Sequence, residues 1–273
     1  MESKELEVFI STMQKLKGVD FSSYRKNFLM RRINYRINTT KSGNLFNYLN
    51  LLKKDDAEYN RFLDNLAINV SEFFRDPDVF EYFRENCLKE IISRKGSFNN
   101  RFIRVWSAGC AEGQETYSLA ILFREELGEE SSLSVKIWGT DIDREALEKA
   151  KRAEYEAKNL KNLDRFMVEK YFTALPNDFL RLNENVKQMV QFNRLDLIND
   201  SPLKYMDVIF CRNVMIYLSH QQQELLFLKF RDSLSSKGYL VVGKVESFWG
   251  DTREIFTSVA IHKKIFQRKE AKT

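Results

Sequence analysis

From residue 102 onward, short apolar runs alternate with longer amphipathic stretches, and this rhythm restricts the fold more than any other feature. The apolar runs are 102–106, 135–138, 208–211 and 239–242, and the stretches 119–127, 144–153 and 221–234 separate them. Runs too short for helices, spaced by helical segments, predict strands joined by crossover helices. That pattern is a three-layer α/β domain with a mainly parallel sheet. The first 70 residues have another texture. Leu29, Ile33, Ile37 and Phe62, Leu66 recur at helical spacing and predict short amphipathic helices without strands. The chain therefore reads as a helical N-terminal domain (1–70), a linker with a connecting helix (71–100) and an α/β domain (101–273). Between about 166 and 192 the rhythm breaks. N-D-F-L-R-L-N (177–183) and V-K-Q-M-V-Q-F (186–192) predict a small inserted hairpin.

Composition narrows the function classes. At 273 residues, with 43% apolar and 30% charged side chains, the chain can bury a sizeable core in the manner of a soluble globular protein. No apolar run approaches the length of a membrane span, and the start M-E-S-K-E-L-E-V lacks a signal-peptide core. Cys87, Cys110 and Cys211 are far apart, with no pairing or metal spacing, so a reduced cytoplasm is expected. With only His220 and His262, neither a metal site nor a histidine-based hydrolase is expected. The net charge of +5 suits an acidic partner without requiring nucleic acid. Much of the basic charge is local, because residues 15–41 hold eight Lys or Arg against the single acid Asp20. Arg25, Arg32 and Arg36 share one helical stripe, which also fits a solvated helix face.

The loop S-A-G-C-A-E-G-Q-E-T-Y-S (107–118) follows the first strand and precedes a helix. Ligands of open α/β sheets bind beyond the carboxyl ends of strands. The spacing of Gly109 and Gly113 is neither G-x-G-x-x-G nor a P-loop. Glu115 at the helix start opposes a phosphate, which a helix N-terminus alone would favour. A cationic, phosphate-free nucleoside resolves the conflict, and S-adenosylmethionine is one: a carboxylate takes its ammonium while glycine backbone approaches its methionine end. The same pattern also fits a plain strand–turn–helix link with surface acids. The next strand runs into G-T-D-I-D (139–143), where Asp141 is placed for both ribose hydroxyls. Asp143 fits instead as an N-cap of the following helix.

Several longer runs resemble the chemotaxis receptor methyltransferase (CheR) family. They are I-N-V-S-E-F-F-R-D (68–76), W-S-A-G-C…G-x-E-x-Y-S (106–118), G-T-D-I-D (139–143) and I-F-C-R-N-V-M-I-Y (209–217). The N-terminal Y-x-x-x-x-L-x-R-R-x-x-x-R (24–36) and the late G-x-x-E-S (243–247) extend the resemblance over nearly the whole chain. It implies an all-α N-terminal domain and a Rossmann-like S-adenosylmethionine-dependent methyltransferase domain with a small antiparallel β-subdomain. It implies transfer of methyl to glutamate side chains on the cytoplasmic helices of chemoreceptors, leaving S-adenosylhomocysteine. By motif position it carries cofactor contact onto Asn69, Ser71, Arg75, Gly109, Glu115, Asp141, Asp196, Leu197, Arg212 and Asn213. Arg75 and Tyr217 match residues placed near the reacting methyl group. The basic stripe Arg25, Arg32, Arg36 becomes a docking face for acidic receptor helices, and the β-subdomain a place for a receptor's C-terminal tail peptide. The chain is expected to act as a monomer, without nucleic acid or membrane insertion.

Three departures stand out. The family's G-E-E-P-Y reads G-Q-E-T-Y here, Asp196 stands where Asn is common, and G-K-V-E-S replaces the frequent G-H-S-E-S. A glutamate acceptor explains the scarcity of histidine, because its side chain, with a pKa of about 4.3, is already ionised at neutral pH. Other readings of single residues remain: Arg75 as a linker ion pair, Tyr217 as a core aromatic, and Arg212 and Asn213 as a turn. Phe73 and Phe74 read as packing residues. The rival functions are a non-catalytic adaptor of the same fold and a methyltransferase acting on a different protein or on nucleic acid. C-R-N-V-M-I-Y (211–217) lacks the N-P-P-Y-like run common in amino-group methylators, and the retention of Arg75, Glu115, Asp141 and Tyr217 argues against the adaptor.

Overall fold

The computed structural model describes residues 3–17, 19, 21–66, 71–96, 101–128, 131–246 and 254–269. It forms two compact units, one of Met1–Ile68 with Ile216–Gln223 and one of Asn69–Met215 with Glu224–Thr273.

In the first unit the helices are α1 (Ser3–Lys17), α2 (Lys26–Thr39), α3 (Leu45–Lys54) and α4 (Asp56–Leu66). The helical spacing seen in the sequence marks the buried faces, with Leu29, Ile33, Ile37, Phe62 and Leu66 all in the core. Phe62 meets the rings of Phe9 and Phe21 edge-on, each at 5.5 Å. Asn44 caps α3 by accepting the Asn47 N–H at 2.9 Å. The segment Ile216–Gln223 joins this unit through main-chain bonds. Arg25 N donates to Tyr217 O and Ser219 N to Ser23 O, both at 2.9 Å. The helical domain is thus completed by chain from far downstream, which apolar periodicity does not reveal.

The second unit begins with a continuous helical stretch built from α5 (Pro77–Tyr82), a π-helical turn (Phe83–Leu88) and α6 (Lys89–Gly96). Its Phe80, Phe83, Cys87, Leu88 and Ile91 are buried in the same core as the central strands. The region expected as a linker is therefore part of the α/β core, because Phe80 and Phe83 pack on Phe210 at 5.6 and 5.1 Å. Next come β1 (Phe102–Ala108), α7 (Gln114–Leu127), β2 (Ser134–Asp141), α8 (Arg144–Arg152), β3 (Glu154–Glu156), α9 (Arg165–Tyr171), β4 (Phe172–Ala174), β5 (Phe179–Leu182), α10 (Glu184–Lys187) and β6 (Val190–Arg194). The unit ends with β7 (Met206–Cys211), β8 (Leu234–Val242), β9 (Phe256–Ala260) and β10 (Ile265–Arg268), and α11 (His220–Ser233), which belongs to this unit from Glu224 onward, precedes β8. Among the described residues the large sheet has the order β6-β2-β1-β7-β8-β10-β9. It is parallel from β6 to β8, and β10 pairs antiparallel with β8 and β9. A separate antiparallel sheet has the order β3-β5-β4.

The inserted β-structure differs from the hairpin expected at 166–192. Residues 179–182 form the central strand of the small sheet, whereas 190–194 leave it and pair in parallel with β2. Phe192 is the physical reason. A Cβ on Gly139 would lie 2.5 Å from its Cε1, so the bare glycine of β2 makes room for this ring. The strand order puts the ends of β1, β2, β6 and β7 side by side.

Candidate active site

The site residues cluster where these strands end. The tight turn after β1 depends on Gly109, at φ +77°, where a Cβ would sit 2.4 Å from Val214 Cγ2. Gly109 N and Cys110 N both donate to Thr140 O, tying the loop to β2. Helix α7 starts at Gln114, five residues before its apolar pattern begins, because Gln114, Thr116 and Ser118 are polar yet buried. This places Glu115 in its first turn. Ser107 Oγ donates to Glu115 Oε1 at 2.8 Å, and Arg212 Nη1 lies 3.7 Å from Oε2. Burial pushes the Glu115 carboxyl up, against the pull of Arg212, Ser107 and Arg75.

Asp141, at the end of β2, accepts Ala111 N at 2.8 Å on one oxygen and Asp143 N at 3.0 Å on the other. Burial pushes its carboxyl up too, opposed by those N–H groups. Asp143 caps α8 through Ala146 N at 3.1 Å. Glu112 is a surface acid paired with Lys149 at 2.7 Å. The end of β6 arrives beside Asp141, since Leu195 N donates to Asp141 O at 3.0 Å. Here the Asp196 carboxylate closes its own turn, accepting Ile198 N at 2.8 Å, Asn199 N at 3.2 Å and Asn199 Nδ2 at 2.8 Å. Leu197 O accepts Lys229 Nζ at 3.2 Å.

The stretch before α5 approaches α7. Phe73 is buried against Tyr155 and Phe172, and Phe74 packs on Phe80 at 5.1 Å. Phe74 N donates to Ser118 Oγ and Asn162 Nδ2 to Phe73 O. Arg75 lies between two left-handed residues, Phe74 at φ 48° and Asp76 at φ 58°. Strain of this kind, on the order of 1–3 kcal/mol per residue, persists only where surroundings over-determine the backbone. Arg212, almost fully buried, contributes to that support. Its Nη1 donates to Arg75 O at 2.8 Å, its Nη2 pairs with Asp76, and its plane lies over Phe80. Asn213 is left-handed at φ 62°. The turn after it is held by Glu246, which accepts Val214 N at 3.0 Å, Met215 N at 2.9 Å and also Gly243 N. Ser71 is half-buried ahead of this stretch. Asn69 and Ser247 lie outside the described residues.

The structure thus brings together Arg75, Glu115 and Arg212, with Gly109, Asp141 and Asn213 on adjoining strand ends. Asp76, Ser107, Ser118 and Glu246 join them, although sequence reasoning assigned them no role. All four lay within motifs already singled out, Asp76 in 68–76, Ser107 and Ser118 at the two ends of 107–118, and Glu246 in 243–247. Tyr217 belongs to the first unit, half-buried with its ring 4.8 Å from Phe28. In that unit Arg25, Lys26, Asn27, Phe28, Arg31 and Tyr217 line a cleft of about 440 Å³. The expected basic stripe is not a uniform surface. Arg36 is mostly buried in an ion pair with Glu58, at 2.5 and 2.9 Å, to which Tyr48 adds a hydrogen bond. Arg32 is half-buried over the Phe28 ring, and Arg25 Nε donates to Leu218 O.

The strand-end chemistry fits S-adenosylmethionine. A buried carboxyl whose acidity desolvation suppresses, as in Glu115, is stabilised by an arriving ammonium. Asp141 uses one lone pair of each oxygen on an N–H, which leaves acceptor capacity for a ribose diol. Cys110 and Cys211 are buried thiols pushed well up by desolvation, so neither is a nucleophile.

Comparison with known proteins agrees. The model described as "CheR methyltransferase, SAM binding domain" matches residues 69–265, and "CheR methyltransferase, all-alpha domain" matches residues 4–67. A chemotaxis protein methyltransferase of Borreliella burgdorferi is 29% identical over 265 residues, covering 95% of this chain and 94% of that one. One from Klebsiella aerogenes is 30% identical over 247 residues, covering 88% and 81%. A third, from Listeria innocua, is 30% identical over 243 residues, covering 89% and 90%. The second unit therefore binds S-adenosylmethionine. No helix among the described residues is long and apolar enough to cross a membrane.

Proposed function

The chain belongs to the CheR methyltransferase family, and from that premise we propose that it forms glutamate methyl esters on the cytoplasmic helices of chemoreceptors. The observation that carries this reading is the pair of desolvated carboxyls, Glu115 in the first turn of α7 and Asp141 at the end of β2, with Arg75 near Glu115. Bound S-adenosylmethionine supplies a methyl group activated by its sulfonium. Glu115 binds the ammonium, Asp141 the ribose, and the Gly109 turn lets main chain approach the ligand. The bond from Arg212 to Arg75 O and the left-handed Phe74 and Asp76 fix the backbone on which Arg75 is displayed.

A carboxylate acceptor needs no proton removed at neutral pH, so the residues' work is to align it and to exclude water. Arg75 orients the incoming carboxylate. The role of Tyr217 in shaping the methyl pocket rests on its motif position. Docking falls to the exposed cations Arg25, Lys26 and Arg31 with half-buried Arg32, because Arg36 is committed to Glu58. In the small sheet β3 and β4 each have one neighbour among the described residues, and a receptor tail can add there as a further strand. The protein acts as a cytoplasmic monomer. Incubation of the purified chain with labelled S-adenosylmethionine and purified receptor cytoplasmic fragments tests the function. Label should enter the fragments and not DNA or RNA; label entering nucleic acid instead would reverse the reading.

A further inference from the structure

Arg212 sits between two acids. Its Nη2 pairs closely with Asp76 Oδ2, while its Nη1 donates to Arg75 O and stands 3.7 Å from Glu115 Oε2. Its Nε is buried without a hydrogen-bond partner among the described residues, so the guanidinium is held at its two terminal nitrogens. The other Asp76 oxygen faces Lys244 at 2.8 Å, and Lys244 also reaches Asp78 at 3.3 Å. Lys244 is the residue that replaces a frequent histidine in the late G-K-V-E-S motif. Asp76 is thus the anion that two cations share, and Glu115 is the acid that Arg212 nearly reaches.

We propose that Asp76 is a positioning residue for cofactor binding: by holding Arg212 it keeps that cation off Glu115, which stays available to the ligand's ammonium. The inference rests on Glu115 being the ammonium partner. Without the Asp76 charge, the nearest acid to a buried guanidinium is Glu115, and less than an ångström of movement gives a charge-assisted bond of about 2.8 Å. Arg212 and the ammonium would then compete for one carboxylate. Truncating one partner of a close, buried charge pair changes affinity strongly.

Calorimetry on the full chain separates this role from scaffolding, using S-adenosylhomocysteine, which carries the ammonium, and 5′-methylthioadenosine, which lacks the amino-acid end. Asp76→Asn should weaken S-adenosylhomocysteine on the order of ten-fold and leave methylthioadenosine within about two-fold. Equal weakening of both ligands, or none, overturns the proposal. Lys244→Met removes the competing cation and leaves Asp76 wholly to Arg212, so S-adenosylhomocysteine should bind at least as tightly as to the unaltered chain. A loss comparable to that of Asp76→Asn would mean the cluster is only a brace. This variant also decides the matter if Asp76→Asn does not fold. Glu115→Gln is the reference. If it leaves S-adenosylhomocysteine binding unchanged, the ammonium-site reading fails and takes this inference with it. If it weakens binding while Asp76→Asn does not, the inference about Asp76 alone is lost.

Discussion

At the residue scale, Glu115 couples the ligand to protons. Burial holds its carboxyl above the ordinary range in the free protein, and a bound ammonium lowers it. Ligand binding therefore releases protons, and affinity for S-adenosylhomocysteine should rise with pH through the window between the free and bound values. Titration calorimetry in buffers of different ionisation enthalpy measures that release, and Glu115→Gln should abolish it. Arg75 has a different task, so Arg75→Ala should lower turnover by about 10²-fold while cofactor affinity changes only a few-fold. Equal losses in both would remove Arg75 from acceptor alignment. The two acids and Arg75 stood out because Asp141 ends a strand, Glu115 opens the helix after a strand-end glycine loop, and Arg75 lies in a long motif. Asp196 shows the limit of such reading: its motif position carries an expected ligand contact, while the turn that its carboxylate closes with Ile198 and Asn199 is a bonding pattern that sequence spacing does not reveal.

At the element scale, helix α2 carries both surface cations and a buried one. Burial pushes the Glu58 carboxyl up, but hydrogen bonds from Arg36 and Tyr48 outweigh it, and the group ends below its ordinary value. Arg36→Ala should destabilise the first unit by about 2 kcal/mol, because Glu58 loses its two charge-assisted bonds from the buried Arg36 and is left with the more exposed Arg61, 3.3 Å from Oε2, as its cation. The sign of the pH effect follows. Glu58 titrates lower folded than unfolded, so its stabilisation is full above the unfolded value of about 4.3 and is lost as pH falls through the folded one. Chemical denaturation at pH 7 and near pH 3 should show that loss in the unaltered chain and a smaller one in Arg36→Ala. The same scale shows why some elements were misread. The first turn of α7 buries polar Gln114, Thr116 and Ser118, and apolar periodicity passes over it. Strand β6 looked like half of a hairpin, but the space for Phe192 lies on Gly139, some fifty residues earlier.

At the scale of the whole molecule, the alternation of strands and helices and the helical texture of the first 70 residues were visible in the sequence. The assignment of Ile216–Gln223 to the helical unit was not, since it depends on main-chain bonds to Ser23 and Arg25 that any side chains could permit. Charge acts at this scale too. The net +5, with exposed Arg25, Lys26 and Arg31, should speed encounter with acidic receptor helices. Raising ionic strength from about 0.05 to 0.5 M should weaken receptor-fragment binding several-fold, and Arg25→Ala with Arg31→Ala should flatten that dependence. Salt-independent binding would count against a basic docking face. The most direct measurement of all is the chemistry of the product. Label transferred from S-adenosylmethionine to a purified receptor fragment should be released as methanol by mild alkali, as a glutamate methyl ester requires. Label that survives alkali on the fragment, as on a methylated nitrogen, would contradict the assignment.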